Sequence, residues 1–310
     1  MPIMQHQAAL ALILVPTCII GIFALNQYVN QPRVEKYTLT PLPGTQVANS
    51  VESTTSRKPA TSRSNTASTS NTSTVSIGTP AIQPTPLVTY FEVTEGCSIT
   101  VDAMCAAAHS QPNASSTKRA DLRIGTLLRT TRSTTTSDGQ IWYEIEFPEH
   151  LRYAERLTLP WFVPAKMGNI IRTSGPEELT ATTPTTNKKL VVDRSAKIMS
   201  AYVGDTLHAT YTISTGRDLT PTPRGTFTIF RKTPSRYMQG PIPGISTNYY
   251  DLPGVPWNLY FTAQGAIVHG AYWHDAFGQQ RSNGCVNVPL DQARAVYEWA
   301  DLGTLVVVVD

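Results

Sequence analysis

The sequence predicts a mainly β protein with one late helix, and three observations carry that reading. From residue 87 onward, short runs rich in β-branched and aromatic residues recur near period-two alternation, bounded by Gly, Pro, Asn and Ser. Residues 290–299 have helical spacing instead: Ala293, Val296, Tyr297 and Ala300 repeat at three and four, with Pro289 before them and Gly303 beyond. Ahead of both lies a segment unlike either. Between residues 51 and 80, sixteen of thirty residues are Ser or Thr and none is aromatic.

The 310 residues suffice for two modest domains and their connections. Residues 1–40 are read as a signal or anchor segment with its flank. Within them, residues 8–25 carry no charge, a stretch just long enough to span a bilayer. No Lys or Arg precedes that run, whereas Arg33 and Lys36 follow it, an order that opposes export by the positive-inside rule. Residues 41–86 read as a disordered Ser/Thr/Pro-rich linker, because they cannot bury enough apolar surface to offset their ordering entropy. Such a stalk favours an extracytoplasmic protein, membrane-anchored or secreted. The net charge of +3 is too small and too evenly spread to suggest nucleic acid.

Residues 87–171 form the first strand-rich stretch. The runs 89–93, 122–130 and 140–147 are separated by turns such as Ser137-Asp138-Gly139. Cys97 and Cys105 are compatible with either a disulfide or two buried thiols. Trp142 and Trp161 are expected in the core, with a ligand groove as the alternative. Residues 172–187, with Gly175-Pro176 and many threonines, read as a second linker. Strands are then expected at 189–193, 197–203, 207–214, 225–230, 257–262 and 266–269. The helix follows, and a closing strand at 304–309.

The chemistry concentrates in residues 266–287. An apolar run ends in His269-Gly270, and sixteen residues later a lone cysteine stands in Ser282-Asn283-Gly284-Cys285-Val286-Asn287. A thiol is mostly protonated at neutral pH and needs a base to become a nucleophile. Imidazole is suited to take that proton and return it to a leaving amine. Gly284 permits a sharp turn before the thiol, so that successive amides can face a carbonyl oxygen. These are the parts of a cysteine acyltransferase. No metal-ligand cluster or phosphate-cradling loop is present, so no cofactor is expected.

The same stretch resembles the signature of the L,D-transpeptidase (YkuD-type) family: His-Gly, a gap, then Ser/Thr-His-Gly-Cys-hydrophobic-Asn or Arg. The resemblance extends through Thr220-Pro221-Thr222-Pro223-Arg224-Gly225-Thr226-Phe227, through Leu252-Pro253-Gly254-Val255-Pro256-Trp257, and through Tyr260-Phe261. It covers residues 188–310. Asn283 departs from it, standing where the family usually has a second histidine. Upstream, Ile124–Leu128, Gly139–Ile145 and Leu159–Pro164 more weakly resemble a bacterial SH3-like barrel.

The family resemblance implies a β-rich catalytic domain, and the weaker upstream resemblance implies a small SH3-like β domain before it. It implies Cys285 as nucleophile, His269 as base, and the Gly270 carbonyl as the group holding the imidazole. The amides around Gly284 and Cys285 would form the oxyanion hole, with Ser282, Asn283 and Asn287 shaping the turn. His274 is the rival base and otherwise a structural or cleft residue. Tyr260, Tyr272, Trp273, His274, Arg281 and Asn287 are the candidates for the substrate groove, drawn from an aromatic surplus that also includes Tyr249, Tyr250 and Trp257. The implied partners are peptidoglycan stem peptides, cross-linked through a thioester with release of D-alanine. The alternative is a non-catalytic or weakly catalytic (L,D-carboxypeptidase) wall-binding protein.

Overall fold

The structure, a computed structural model, describes residues 87–179 and 186–310. The apolar run at 8–25 and the Ser/Thr-rich stretch at 41–86 lie outside the described residues. No helix among the described residues is long and apolar enough to cross a membrane.

Alternating apolar positions first build a seven-stranded antiparallel sheet. Its strands are β1 (Leu87–Val93), β2 (Ala106–His109), β3 (Lys118–Leu122), β4 (Leu127–Thr135), β5 (Ile141–Glu146), β6 (Trp161–Pro164) and β7 (Gly168–Ser174). They lie in the order β3-β2-β6-β5-β4-β1-β7. One face buries Phe91, Val93, Ala106, Ala108, Leu122, Leu128, Ile145, Trp161 and Val163 together. Trp142 and Trp161 are both core residues, 2% and 3% exposed. Cys97 and Cys105 form a disulfide that closes the loop leading into β2. The run expected at 122–130 is interrupted: a turn at 123–126, with Gly125 at φ 90°, separates β3 from β4.

The remaining strands form two five-stranded sheets and a small ribbon. One sheet, β11-β10-β9-β19-β13, joins β9 (Lys188–Asp193), β10 (Ile198–Val203), β11 (Thr206–Thr212), β13 (Gly225–Thr228) and β19 (Leu305–Val309). The other, β18-β16-β15-β14-β8, joins β8 (Glu177–Glu178), β14 (Arg231–Ile242), β15 (Ser246–Tyr260), β16 (Ile267–Gly270) and β18 (Val286–Val288). The ribbon pairs β12 (Thr215–Gly216) in parallel with β17 (Gln280–Ser282). The single α-helix among the described residues, α1 (Leu290–Trp299), occupies the span its spacing predicts and buries Ala293, Val296 and Tyr297. Residues 177–178, inside the stretch read as a linker, pair with Arg231 and Lys232 at the edge of β14.

The sequence pattern predicts a strand only at 257–262, whereas the structure forms the long hairpin β14–β15. Pro234, Pro241, Pro243, Pro253 and Pro256, with Gly240, Gly244 and Gly254, mark a loop by composition. The hairpin accommodates Gly240, Pro241, Pro253 and Gly254 through register shifts at Arg236/Met238 and Gly240/Ile242, and pairs Pro256 in register with Ser235.

The hairpin is also where the two strand-rich parts meet. Tyr90, Leu127 and Ile171 of the seven-stranded sheet share one apolar cluster with Leu190, Val192, Trp257, Leu259, Val268, Val286 and Val296. Phe147 and Trp161 pack on Tyr237 of β14, with ring centroids 5.4 and 6.4 Å apart. Gly254 runs against β4: a Cβ there would lie 2.6 Å from the Leu127 carbonyl oxygen.

Candidate active site

The site grows out of one parallel strand pair. In β16 and β18, Val268 is opposite Val286, His269 opposite Asn287 and Gly270 opposite Val288. Side chains alternate along a strand, so Asn287 and Cys285, two residues earlier, project to the face that carries His269. Both His269 and Cys285 line the same cleft, of about 580 Å³. Gly270 is tightly packed. A Cβ there would come within 3.0 Å of Ala293 on α1 and of Pro256.

His269 is buried, and its Nδ1 lies 2.9 Å from the Gly270 carbonyl oxygen. A carbonyl only accepts, so Nδ1–H donates and the Nε2 lone pair is left as the basic atom. Burial holds the imidazole down to about 4, against a smaller opposing effect of the Gly270 hydrogen bond. Burial likewise pushes the Cys285 thiol above its ordinary value, although the Ile267 amide and the Arg236 charge pull it back. The thiol points at the Gly265 carbonyl oxygen 3.8 Å away. Among the hydrogen bonds of the described residues, none joins Cys285 to His269. Burial thus opposes charge on both the thiol and the imidazole.

The cysteine turn is tightly tethered. Gly284 has φ 111°, a conformation that strains any side chain. Ser282 Oγ donates to the Cys285 carbonyl oxygen at 2.6 Å and accepts from the Gly284 amide at 3.1 Å. The Gly284 amide expected to face the oxyanion is thus already engaged. The loop 217–223 braces the turn from outside. Arg217 N–H donates to the Ser282 carbonyl oxygen at 3.1 Å, and Gly216 N–H to Thr222 Oγ1 at 2.9 Å. Asn283 is half-buried and meets the hydroxyl of Tyr250 in β15, which the Arg152 side chain approaches as well.

The expected groove residues divide. Trp273, Arg281 and Asn287 line the cleft, with Trp273 stacked 5.7 Å from His269. Tyr260, Tyr272 and His274 do not line it. Tyr272 is 5% exposed and spends its hydroxyl on the Pro253 carbonyl oxygen at 2.6 Å, anchoring the hairpin. Tyr260 instead packs its ring against the Arg231 and Arg236 guanidinium groups, 5.2 and 5.3 Å from its centroid. His274 accepts at Nε2 from Asn287 Nδ2 at 2.8 Å, which places it behind the site as a buttress. Other cleft residues come from further away: Arg152, Arg217, Arg236, Gln239, Tyr249 and Tyr250. The aromatic surplus pointed to the two tyrosines, but no local signal marks Arg152, which is placed by contacts 84–88 residues distant in sequence.

Residues 187–308 match the family model of YkuD, the L,D-transpeptidase catalytic domain. Among solved structures, a mutant Enterococcus faecium L,D-transpeptidase is 23% identical over 45% of this chain and 55% of that one, with a TM-score of 0.37. The L,D-transpeptidase from Mycobacterium smegmatis is 19% identical over 71% and 99%, at 0.38. L,D-transpeptidase 3 from Mycobacterium tuberculosis is 17% identical over 70% and 99%, at 0.37. The chain spans about half the length of the enterococcal protein. No curated protein matches.

Proposed function

We propose, from the premise that residues 187–308 form an L,D-transpeptidase catalytic domain of the YkuD family, that this chain transfers acyl groups between peptidoglycan stem peptides outside the cytoplasm. The observation that carries the reading is the pairing of His269 with Asn287, which sets imidazole and thiol on one face of one cleft.

In this mechanism the Cys285 sulfur attacks the peptide carbonyl carbon while its proton passes to His269 Nε2. The tetrahedral oxyanion collapses, the C–N bond breaks, and His269 returns the proton to the departing amine of D-alanine. A thioester remains. The amine of a neighbouring stem attacks it, the C–S bond breaks, and the thiol regains a proton by way of His269. Water in place of that amine makes the enzyme a carboxypeptidase.

Because the imidazole is held near 4 and the thiol is held up, proton transfer is uphill before substrate binds. It becomes favourable only as charge develops on the substrate oxygen, so the reaction depends on donors aimed at that oxygen. The Tyr250 hydroxyl, the Asn283 amide and the backbone of the cysteine turn are the available groups.

The test is mass spectrometry of the full chain after incubation with stem tetrapeptide. The expected result is a mass increase equal to the peptide less D-alanine, mapped to Cys285 and absent from Cys285→Ala. A wild-type protein that reacts with a small thiol reagent at Cys285 yet forms no adduct with any stem peptide overturns the reading.

A further inference from the structure

The cleft that holds Cys285 is lined by four arginines, Arg152, Arg217, Arg236 and Arg281, and by no Asp or Glu among the described residues. None of the four joins an ion pair among the described residues. Their field is felt inside: Arg236 bears on both Cys285 and His269, and Arg281 on His274. Glu149, outside the cleft, faces Arg236 as a counter-charge, but a concave lining that itself carries only positive charge favours an anionic occupant.

Three of these arginines belong to the part that carries the thiol. Arg152 does not; it stands in the segment between β5 and β6 of the seven-stranded sheet. That segment is clasped to the hairpin. Tyr153 N–H donates to Gln239 Oε1 at 2.8 Å, and Gln239 Nε2 donates back to the Tyr153 carbonyl oxygen at 3.1 Å. The Tyr153 hydroxyl donates to the Pro241 carbonyl oxygen at 2.9 Å, and Arg156 Nη1 to that of Gly240 at 2.6 Å. Arg152 itself donates through Nη1 to the Gln239 carbonyl oxygen and approaches the Tyr250 hydroxyl. A guanidinium has five N–H donors in a rigid fork. These two contacts leave donors over, on a side chain whose root is fixed and whose head borders the cleft beside Asn283.

We propose that Arg152 is a specificity-determining residue of the cleft, and that its fork binds a carboxylate of the peptide substrate beside Cys285. The identity of that peptide rests on the transpeptidase reading; the preference for a carboxylate does not. A carboxylate gains charge-assisted, two-point hydrogen bonds from such a fork, which the corresponding amide cannot. The seven-stranded sheet is then part of the substrate site and not only a tether.

Two measurements on the full chain separate the proposal from a purely structural role. The first compares alkylation of Cys285 by iodoacetate, which carries a carboxylate, and by iodoacetamide, which does not. Relative to the same ratio for free cysteine, the wild-type ratio is expected to favour iodoacetate about tenfold, on the scale of one charged hydrogen-bonded contact. Arg152→Ala should collapse that preference, Arg152→Lys should keep part of it, and added salt should erode it in the wild type. The second compares KM for a stem tetrapeptide with a free C-terminus and for its amide. Arg152→Ala should raise the first about tenfold and leave the second in place. A wild-type ratio no greater than that of free cysteine, or one that Arg152→Ala leaves unmoved, overturns the proposal even if acyl transfer proceeds. The expected alkylation pattern with no acyl transfer to either peptide upholds the carboxylate site and sinks the transpeptidase reading instead. Should the alanine variant fold poorly, the lysine variant and the salt dependence decide.

Discussion

Asn287 faces both histidines: His269 is its partner in the β16–β18 register, and His274 Nε2 receives its side-chain amide at 2.8 Å. The three residues form a stack in which one imidazole borders the cleft and the other supports it. Asn287 is 1% exposed, so this order is built into the core and not into a mobile loop. It supports His269 as the proposed base, a role that variants can test.

His269→Ala should slow acylation on the order of 10²–10⁴-fold, the usual contribution of a general base. His274→Ala should cost less, because it removes a support and not the proton acceptor. Single-turnover thioester formation, followed for both variants, measures this. The reverse ranking would transfer the role to His274.

Cys285→Ala and Cys285→Ser should both abolish adduct formation with the fold intact. A hydroxyl is far harder to deprotonate than a thiol, and an imidazole held near 4 offers it little help. Circular dichroism and mass spectrometry of the two variants check this. A serine variant with near wild-type turnover would contradict the thiol mechanism.

His269 also makes stability depend on pH. Its pKa is about 4 in the folded chain and about 6.5 in a model peptide. The unfolded state therefore binds the extra proton first, and stability falls as pH drops through that window. The loss approaches about 3 kcal/mol once both values are passed. Urea melts between pH 7 and pH 4 should show a decline that His269→Gln removes in large part.

The Cys97–Cys105 bridge closes a short loop, with a sequence separation of 8. Constraint of the unfolded chain by a loop of that size contributes about 2.5 kcal/mol. The double variant Cys97→Ala/Cys105→Ala should melt earlier by that measure under oxidising conditions, and reductant should have no further effect on it. Alkylation of Cys285 should stay at the wild-type rate.

Asn283→His tests the one departure from the family signature. Asn283 acts on the Tyr250 hydroxyl as a nearby donor, and an imidazole offers a donor of the same kind. The substitution should therefore change activity by less than tenfold, about 1.4 kcal/mol. A full-unit fall in the thiol pKa of the variant, read from alkylation rate against pH, would instead show that a charge is missing there.

What the sequence made legible was local. The helix at 290–299 and the closing strand carry their own periodicity, and the cysteine turn is written in consecutive residues. The hairpin β14–β15 was hidden because it is rich in prolines and glycines, which normally end strands; Gly240, Pro241, Pro253 and Gly254 fall at its register shifts, whereas Pro256 is paired in register with Ser235. Tyr272 and Tyr260 looked like groove residues because an aromatic side chain signals apolar area without saying which side of a strand it covers. The Gly284 amide was assigned to an oxyanion by analogy, yet Ser282 Oγ occupies it. Arg152 was illegible for a different reason: its position depends on the docking of one sheet on another, and no short-range pattern encodes that.

The apolar cluster that unites Tyr90, Leu127 and Ile171 with Leu190, Trp257 and Val286 limits how this protein can be rearranged. Cut at residue 187, the C-terminal half would keep its thiol and imidazole but expose an oily scar where Leu127 had been, and the hairpin would lose its clasp at Gln239. Grafted onto a foreign β domain, it would need a matching apolar surface and a matching arginine. The two halves have been tailored to each other and should melt in one transition, as a single heritable piece.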